Sequence, residues 1–274
     1  MPTYSGKKLN RLQQEFPENF LADAAWLDRH GYSSSLRSQY VKAGWLNQPA
    51  RRVYRRSHGP MSWEQVVTSL QALLDLPLTV GGRTALEAQG FAHYLGRGPQ
   101  EVHLYGPERP PTWLKELPVD AKFLWHNSRR LFSNDPLEQR GKPSNPFDEP
   151  TPSLMPGGYM LRHGAAPTWP IRYSIVERAI LELLDELPDR ESFHQVDMLM
   201  EGLANLGPRR LQAQLQNCRS VKVKRLFFFF ADRHQHAWLG QLDKNEIDLG
   251  AGKRALVKGG KLDRRYQITV PGDL

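Results

Sequence analysis

Apolar residues recur every three or four positions along much of this chain, and the gaps between those runs hold the residues that start and stop helices. Leu9, Leu12 and Phe16 mark one side of a first helix, which Pro17 closes. Leu21, Ala24, Ala25 and Leu27 repeat at helical spacing as far as Gly31. Ser33, Ser34 and Ser35 then offer an N-cap for another helix, with Leu36, Tyr40 and Val41 inward and Gly44 as its stop. Its outward face carries Ser35, Ser38, Gln39 and Lys42, with Arg37 beside them. The stretches 45–48 and 53–56, around a turn at Pro49 and Ala50, predict a β-hairpin with Arg51, Arg52, Arg55 and Arg56 on or near its tip. A helix, a helix pair with a tight turn and a basic hairpin form the order of a winged helix-turn-helix over about residues 5–58. The second helix of such a pair can enter a major groove.

Beyond this module Ser62 and Gln65 read as a capping box, followed by Trp63, Val66, Val67, Leu70, Leu73 and Leu74 at helical spacing up to Pro77. A short strand at 78–80, a turn at Gly81-Gly82 and a helix from Thr84 to about Gln89 follow. A strand, two glycines and a helix could cradle a phosphate, but no Gly-Lys-Ser/Thr follows, so a plain tight turn is the better reading. Alternation predicts strands near 101–105 and 122–126. Eight prolines between Ser133 and Pro170 forbid a continuous helix. After them Ser174 and Glu177 form a second capping box ahead of a helix bearing Ile175, Ala179, Ile180, Leu183, Leu184 and Leu187, ended by Pro188. A third capping box at Ser192 and Gln195 opens a helix to about Leu203, and Gly207-Pro208 opens another to about Asn217. Val221 to Lys224 alternate and lead into the apolar run 226–231, which predicts a central strand; 237–242 reads as its partner. Two further strands are expected at 255–258 and 266–270.

The whole pattern predicts an α+β protein. A winged helix-turn-helix occupies residues 1–60, and a larger mixed α/β domain occupies 61–274, ordered at 61–133 and 171–274 around a Pro-rich loop at about 134–170.

Charge sharpens this picture. The net charge is +8 and the isoelectric point about 9.6, which favours an acidic partner. Residues 1–60 hold ten Lys/Arg against four Asp/Glu, the electrostatic footprint of phosphate contacts. Residues 61–170 are near neutral, with ten basic and eleven acidic residues. Residues 205–265 carry fourteen basic against five acidic residues, including Arg209, Arg210, Lys222, Lys224, Arg225, Lys253, Arg254 and Lys258. Such a run is either a solvated face or a second anion-binding surface, and charge alone leaves both open. The longest apolar run has six residues, far short of the ~20 that span a bilayer. No apolar segment follows Lys7 and Lys8, so no secretory signal is expected. The single cysteine, Cys218, excludes an internal disulfide, fits a reducing cytoplasm and removes a Cys-based zinc site.

Catalytic chemistry finds little support. Asp232, His234 and His236 have metal-compatible spacing, yet sit where a turn is expected. Glu101 with Lys122 belongs to no tight nuclease motif. No G-x-S-x-G or H-E-x-x-H occurs. No catalytic residue, cofactor or metal is therefore expected.

Three stretches carry a resemblance: YVKAGWLNQPARRVYRR, LPLTVGGRTALEAQGFAHYL and IRYSIVERAILELLDELP. Together they resemble the AbiEi family, the antitoxins of type IV toxin–antitoxin systems linked to abortive phage infection, over nearly the whole chain. The resemblance implies two activities. The N-terminal module would bind inverted repeats in promoter DNA and repress its own operon. The C-terminal domain would counter a nucleotidyltransferase-like toxin without a stable complex. Carried over, DNA contacts would fall on Ser35, Arg37, Ser38, Gln39 and Lys42, with wing contacts from Arg51, Arg52, Arg55 and Arg56. The basic residues within 205–265 are assigned to the antitoxin surface from charge alone. Two alternatives stand beside this reading. One is an enzyme acting on nucleic acid and targeted by the winged helix; the other is a regulator that senses a ligand.

Overall fold

The structure is a computed structural model that describes residues 3–91, 100–138, 154–163 and 169–274. Helix α1 (Thr3–Glu15), strand β1 (Leu21–Asp23), helices α2 (Ala24–Arg29) and α3 (Ser34–Lys42), and strands β2 (Asn47–Ala50) and β3 (Val53–Arg55) build the N-terminal module. Its three-stranded antiparallel sheet has the order β1-β3-β2. Sequence periodicity placed Leu21 in a helix; it lies in β1, opposite Arg55. Asp23 is the reason. Its carboxylate accepts the Trp26 amide as an N-cap, so the helix begins only at Ala24. Ser33 caps α3 in the same way.

Helix α4 (Trp63–Thr68) opens with the expected capping box between Ser62 and Gln65 and runs on into a π-helical turn, Ser69–Leu73. That turn aims two buried polar side chains in different directions. The Ser69 hydroxyl accepts the Leu21 amide at 2.8 Å. The Gln71 side chain bonds both the N–H and the C=O of Arg172. A five-residue segment thus ties the winged module to the central sheet.

That sheet has six strands: β4 (Thr79–Val80), β5 (Gln100–Gly106), β6 (Ala121–Asn127), β7 (Leu154–Met155), β8 (Tyr159–His163) and β9 (Pro170–Ser174), in the order β6-β5-β4-β9-β8-β7. Strands β5 and β6 run parallel in register over seven pairs. Most of the segment expected to be a Pro-rich loop lies outside the described residues. Its end forms the β7–β8 hairpin, which periodicity did not show.

Helices α5 (Gly82–Ala88), α6 (Val176–Asp185), α7 (Phe193–Gly202), α8 (Pro208–Asn217) and α9 (Val221–His234) complete the larger layer, with α6 packed against α5, α8 and α9. The strand expected at 221–231 is α9. Ser220 caps it by accepting the Val223 amide, and Phe227, Phe228 and Phe230 are buried around its circumference. A helix buried on nearly all sides loses the polar–apolar period and imitates a central strand. The partner expected at 237–242 is a short 3-10 helix. The terminal hairpin is β10 (Lys261–Asp263) with β11 (Ile268–Val270), so 255–258 is not a strand.

Two of the three stretches that carry the family resemblance meet inside this layer. Glu182 on α6 is fully buried, and one carboxylate oxygen accepts the Gly82 amide at 2.9 Å. The other accepts Ser174 at 3.0 Å and Arg178 at 2.9 Å. A side chain on Gly81 would collide with that carboxylate and with Tyr105. The two glycines form a tight turn, and the buried Gly82 amide at the start of α5 is satisfied by the protein's own carboxylate. Arg178, also fully buried, donates to Gly157 and Asp135 and lies 3.8 Å from the Phe132 ring centroid and 4.4 Å from that of Tyr159. Tyr159 donates to Asp135 at 2.6 Å. Removing one member of a buried ion network strands the others without compensation, at about 3–5 kcal/mol. Arg178→Met should lower unfolding free energy by about that much in urea titrations. A loss within error of zero would show that the network does not hold the layer.

Candidate nucleic-acid interface

The α2–α3 pair presents one exposed face. Ser35, Ser38, Gln39 and Lys42 are exposed along α3. Ser38 bonds back to Ser34, while Gln39 and Lys42 make no side-chain hydrogen bond or ion pair with a described residue. Arg51 and Arg52, also exposed and free of such partners, form the two-residue turn between Ala50 and Val53. Arg52 sits at φ 63°, where an L-residue is strained and glycine is not.

Arg37, Arg55 and Arg56 are placed differently. Arg37 is buried and donates to the carbonyls of Tyr32 (2.6 Å) and Ala24 (3.4 Å) and to the Asp28 carboxylate. It fastens α3 to α2 and is turned away from solvent. Arg55, buried in the central strand β3, donates to Gly59 and Ser57. Arg56 donates to the carbonyls of Gln13 and Phe16, closing α1 onto the wing. These three hold the module together. On α3 and the wing the exposed cations free of such partners are Lys42, Arg51 and Arg52; Lys7 on α1 and Arg29 on α2 are also exposed and make no ion pair with a described residue. Trp45, just beyond α3, is an exposed aromatic that a search for charge passes over.

The C-terminal cations divide in the same manner. Arg210 pairs with buried Glu177, which also accepts the Gly207 amide; this carboxylate caps α8 from another helix, not its own. Lys222 donates to the carbonyls of Asp185 and Leu187 at the end of α6. Lys224 is buried, and Arg225 is buried against the carbonyls of Leu249, Gly252 and Gln267. Lys222 and Lys224 therefore do not share a strand face. Arg209, Lys253, Arg254 and Lys258 are exposed, as are Lys261 and Arg264, and none makes an ion pair with a described residue. The 253–258 loop is fixed by Thr269, whose hydroxyl accepts the amides of Leu256 and Val257 and donates to the Val257 carbonyl.

The candidate catalytic groups are engaged in the fold. Asp232 accepts from Tyr266 and pairs with Lys244 and Arg265; His234 bonds Asp197 and His236 bonds the Met200 carbonyl. Among the described residues no group of three or more His, Cys, Asp or Glu could hold a metal ion. Glu101 and Lys122 do meet, at 2.8 Å, across β5 and β6. They lie on the face that carries a row the sequence reading missed: Glu186 to His126 (2.8 Å), then His126 to His103 (3.1 Å). The signal was one histidine in each strand on the same face as the Glu101–Lys122 pair, His103 two residues from Glu101 and His126 four from Lys122.

Burial and the charge of His126 push His103 down to about 4. Burial pushes the Glu186 carboxyl up, but bonding to His126 and the charges of His126, His103 and Arg190 more than reverse this and hold it below the usual range. Between pH 6.5 and about 4 the unfolded chain binds a proton that folded His103 refuses. Stability is therefore complete above pH 6.5 and declines as pH falls through that window, by on the order of 3 kcal/mol. Glu186 adds a further loss at the acid end. Denaturant midpoints measured from pH 7 to 4 should fall for the wild type and fall less for His103→Leu. Parallel curves would remove His103 as the cause.

Comparison with known proteins places this arrangement. A family model described as "Transcriptional regulator, AbiEi antitoxin, Type IV TA system" matches residues 99–271, and one described as "Transcriptional regulator, AbiEi antitoxin N-terminal domain" matches residues 5–97. The two family models divide the chain into an N-terminal unit and a larger C-terminal unit. The chain belongs to the AbiEi antitoxin family of type IV toxin–antitoxin systems. Among solved structures, the RV2827C protein from Mycobacterium tuberculosis shares the fold at a TM-score of 0.53 and 14% identity, over 98% of this chain and 91% of that one. A comparison with curated proteins gave no match. Among the described residues no helix is long and apolar enough to cross a membrane.

Proposed function

We propose that this protein represses its own operon by laying α3 in the major groove of inverted repeats in promoter DNA, and that it antagonises a nucleotidyltransferase-like toxin. The observation that carries the first half is the exposed face of α3, with Gln39 and Lys42 unengaged, together with the exposed Arg51-Arg52 turn bonded to the start of α2. Gln39 reads a base edge, while Lys42, Arg51 and Arg52 hold phosphates and fix register. Arg37, Arg55 and Arg56 act one step back, by keeping α3 and the wing in place.

The second half rests on family membership and on the free cations of the 253–258 loop. In this reading Lys253, Arg254 and Lys258, with Arg209, form a phosphate-binding surface, and toxin antagonism needs no stable complex with the toxin. Thr269 fixes the loop backbone that carries these side chains, so the backbone is not ordered anew on binding.

Gel shifts on the DNA upstream of the gene test both halves. Gln39→Ala should narrow the preference for operator over unrelated DNA by about tenfold, since a good base contact is worth ~1–3 kcal/mol. Unchanged discrimination would move the reader elsewhere. Neutralising Lys253, Arg254 and Lys258 together should leave sequence preference intact. In cells carrying the adjacent toxin gene, the same triple variant should lose growth rescue while retaining repression. Full rescue by it would remove the 253–258 loop from the antitoxin role.

A further inference from the structure

Strand β6 closes one edge of the six-stranded sheet, and its length and composition leave it open to pairing. It is seven residues long, pairs with β5 without a bulge, and contains no proline or glycine. Its outer N–H and C=O groups make no backbone hydrogen bond with a described residue. Edge strands are ordinarily blunted by proline, bulges, shortness or several charges. Here one charge, Lys122, stands among Phe123, Leu124 and Trp125, all half-buried.

We infer that β6 is the contact between two copies of this chain, paired antiparallel about a two-fold axis at Leu124. Full overlap of a seven-residue strand with its own copy puts Leu124 opposite Leu124, Phe123 opposite Trp125 and Lys122 opposite His126. Phe123 and Trp125 share a face, being in register with Val102 and Leu104. The axis therefore creates two cross-strand aromatic pairs at once, a favourable combination in antiparallel sheets. Lys122 meets an imidazole already bonded to Glu186, so the pairing sets the cation beside a carboxylate-backed ring. The same Glu186–His126–His103 row pins β6 to α6 and β5 and presents the edge as a rigid template. Isologous pairing of this kind consumes the β6 edge in a closed dimer. The winged module takes no part in it, so the contact stands independently of any DNA reading.

Sedimentation and light scattering of the full chain, without DNA, test the contact. The expected mass at micromolar concentration is twice the 31.4 kDa of the chain. Phe123→Lys adds a charge to each aromatic pair and should weaken association about tenfold or more. A crosslink supplies the geometric test. Residues facing each other across an antiparallel pair fall within disulfide range. Leu124→Cys should form a covalent dimer under mild oxidation, while Glu116→Cys, outside the strand, should not. Native Cys218 is buried, and burial pushes its thiol up to about 11, so it contributes no background. A monomer at all concentrations, or a dimer that Phe123→Lys leaves intact and Leu124→Cys does not trap, would overturn the inference.

Discussion

Two fully buried, oppositely charged side chains set the terms for this protein. Glu182 and Arg178 lie one turn apart on α6, and neither charge could stay in the interior without the partners the fold supplies. The chain meets that constraint from distant segments: the Gly82 amide, the Ser174 hydroxyl, Asp135 and the Gly157 carbonyl. Each partner fixes an element, namely the start of α5, the end of β9, the turn into β8 and the segment before it. An apolar core tolerates sliding, whereas a charge network accepts one arrangement. Two of the three motifs that mark the family, around Gly81-Gly82 and on α6, are therefore the architecture of its C-terminal layer.

The winged module is governed by a similar division of labour among cations. A count of Lys and Arg marks residues 1–60 as basic, but folding uses Arg37, Arg55 and Arg56 internally and leaves Lys42, Arg51 and Arg52 outside. The C-terminal run behaves alike, with Arg210, Lys222, Lys224 and Arg225 engaged or buried and the 253–258 loop free. Arginine suits the internal task because its five donors can satisfy several carbonyls at once. The module is also not a loose appendage. Ser69 on the π-turn holds β1 while Gln71 holds β9, so the orientation of α3 is referred to the larger sheet.

Much of this was legible in the sequence where local chemistry decides structure. Ser33, Gly44, Ser62 and Pro208 mark helix ends, and the winged order follows from them. The inward position of Arg37 was legible as well, because residues 36, 37, 40 and 41 share one arc of a helix; a reading that admits only apolar residues to the interior misassigns it. Other features depend on distant partners. Nothing near Val221 announces that α9 will be covered on nearly every side, so its alternation of valine and lysine reads as a strand. Glu177 looks like a capping-box partner for Ser174, yet its carboxylate serves Gly207 and Arg210 on α8. The His126–Glu186 contact is invisible until β6 and the end of α6 are brought together.

In the proposed reading Lys42, Arg51 and Arg52 hold the DNA backbone, and the internally bonded Arg37, Arg55 and Arg56 do not. The direct measurement is the salt dependence of binding to the upstream DNA for the wild type and for a variant with Lys42→Ala, Arg51→Ala and Arg52→Gly, glycine being chosen because it accepts the turn conformation at that position. Each lost phosphate contact should reduce the slope of log affinity against log salt by about 0.9, for a total of up to about 3. A slope equal to that of the wild type would contradict the account and place the DNA on another face.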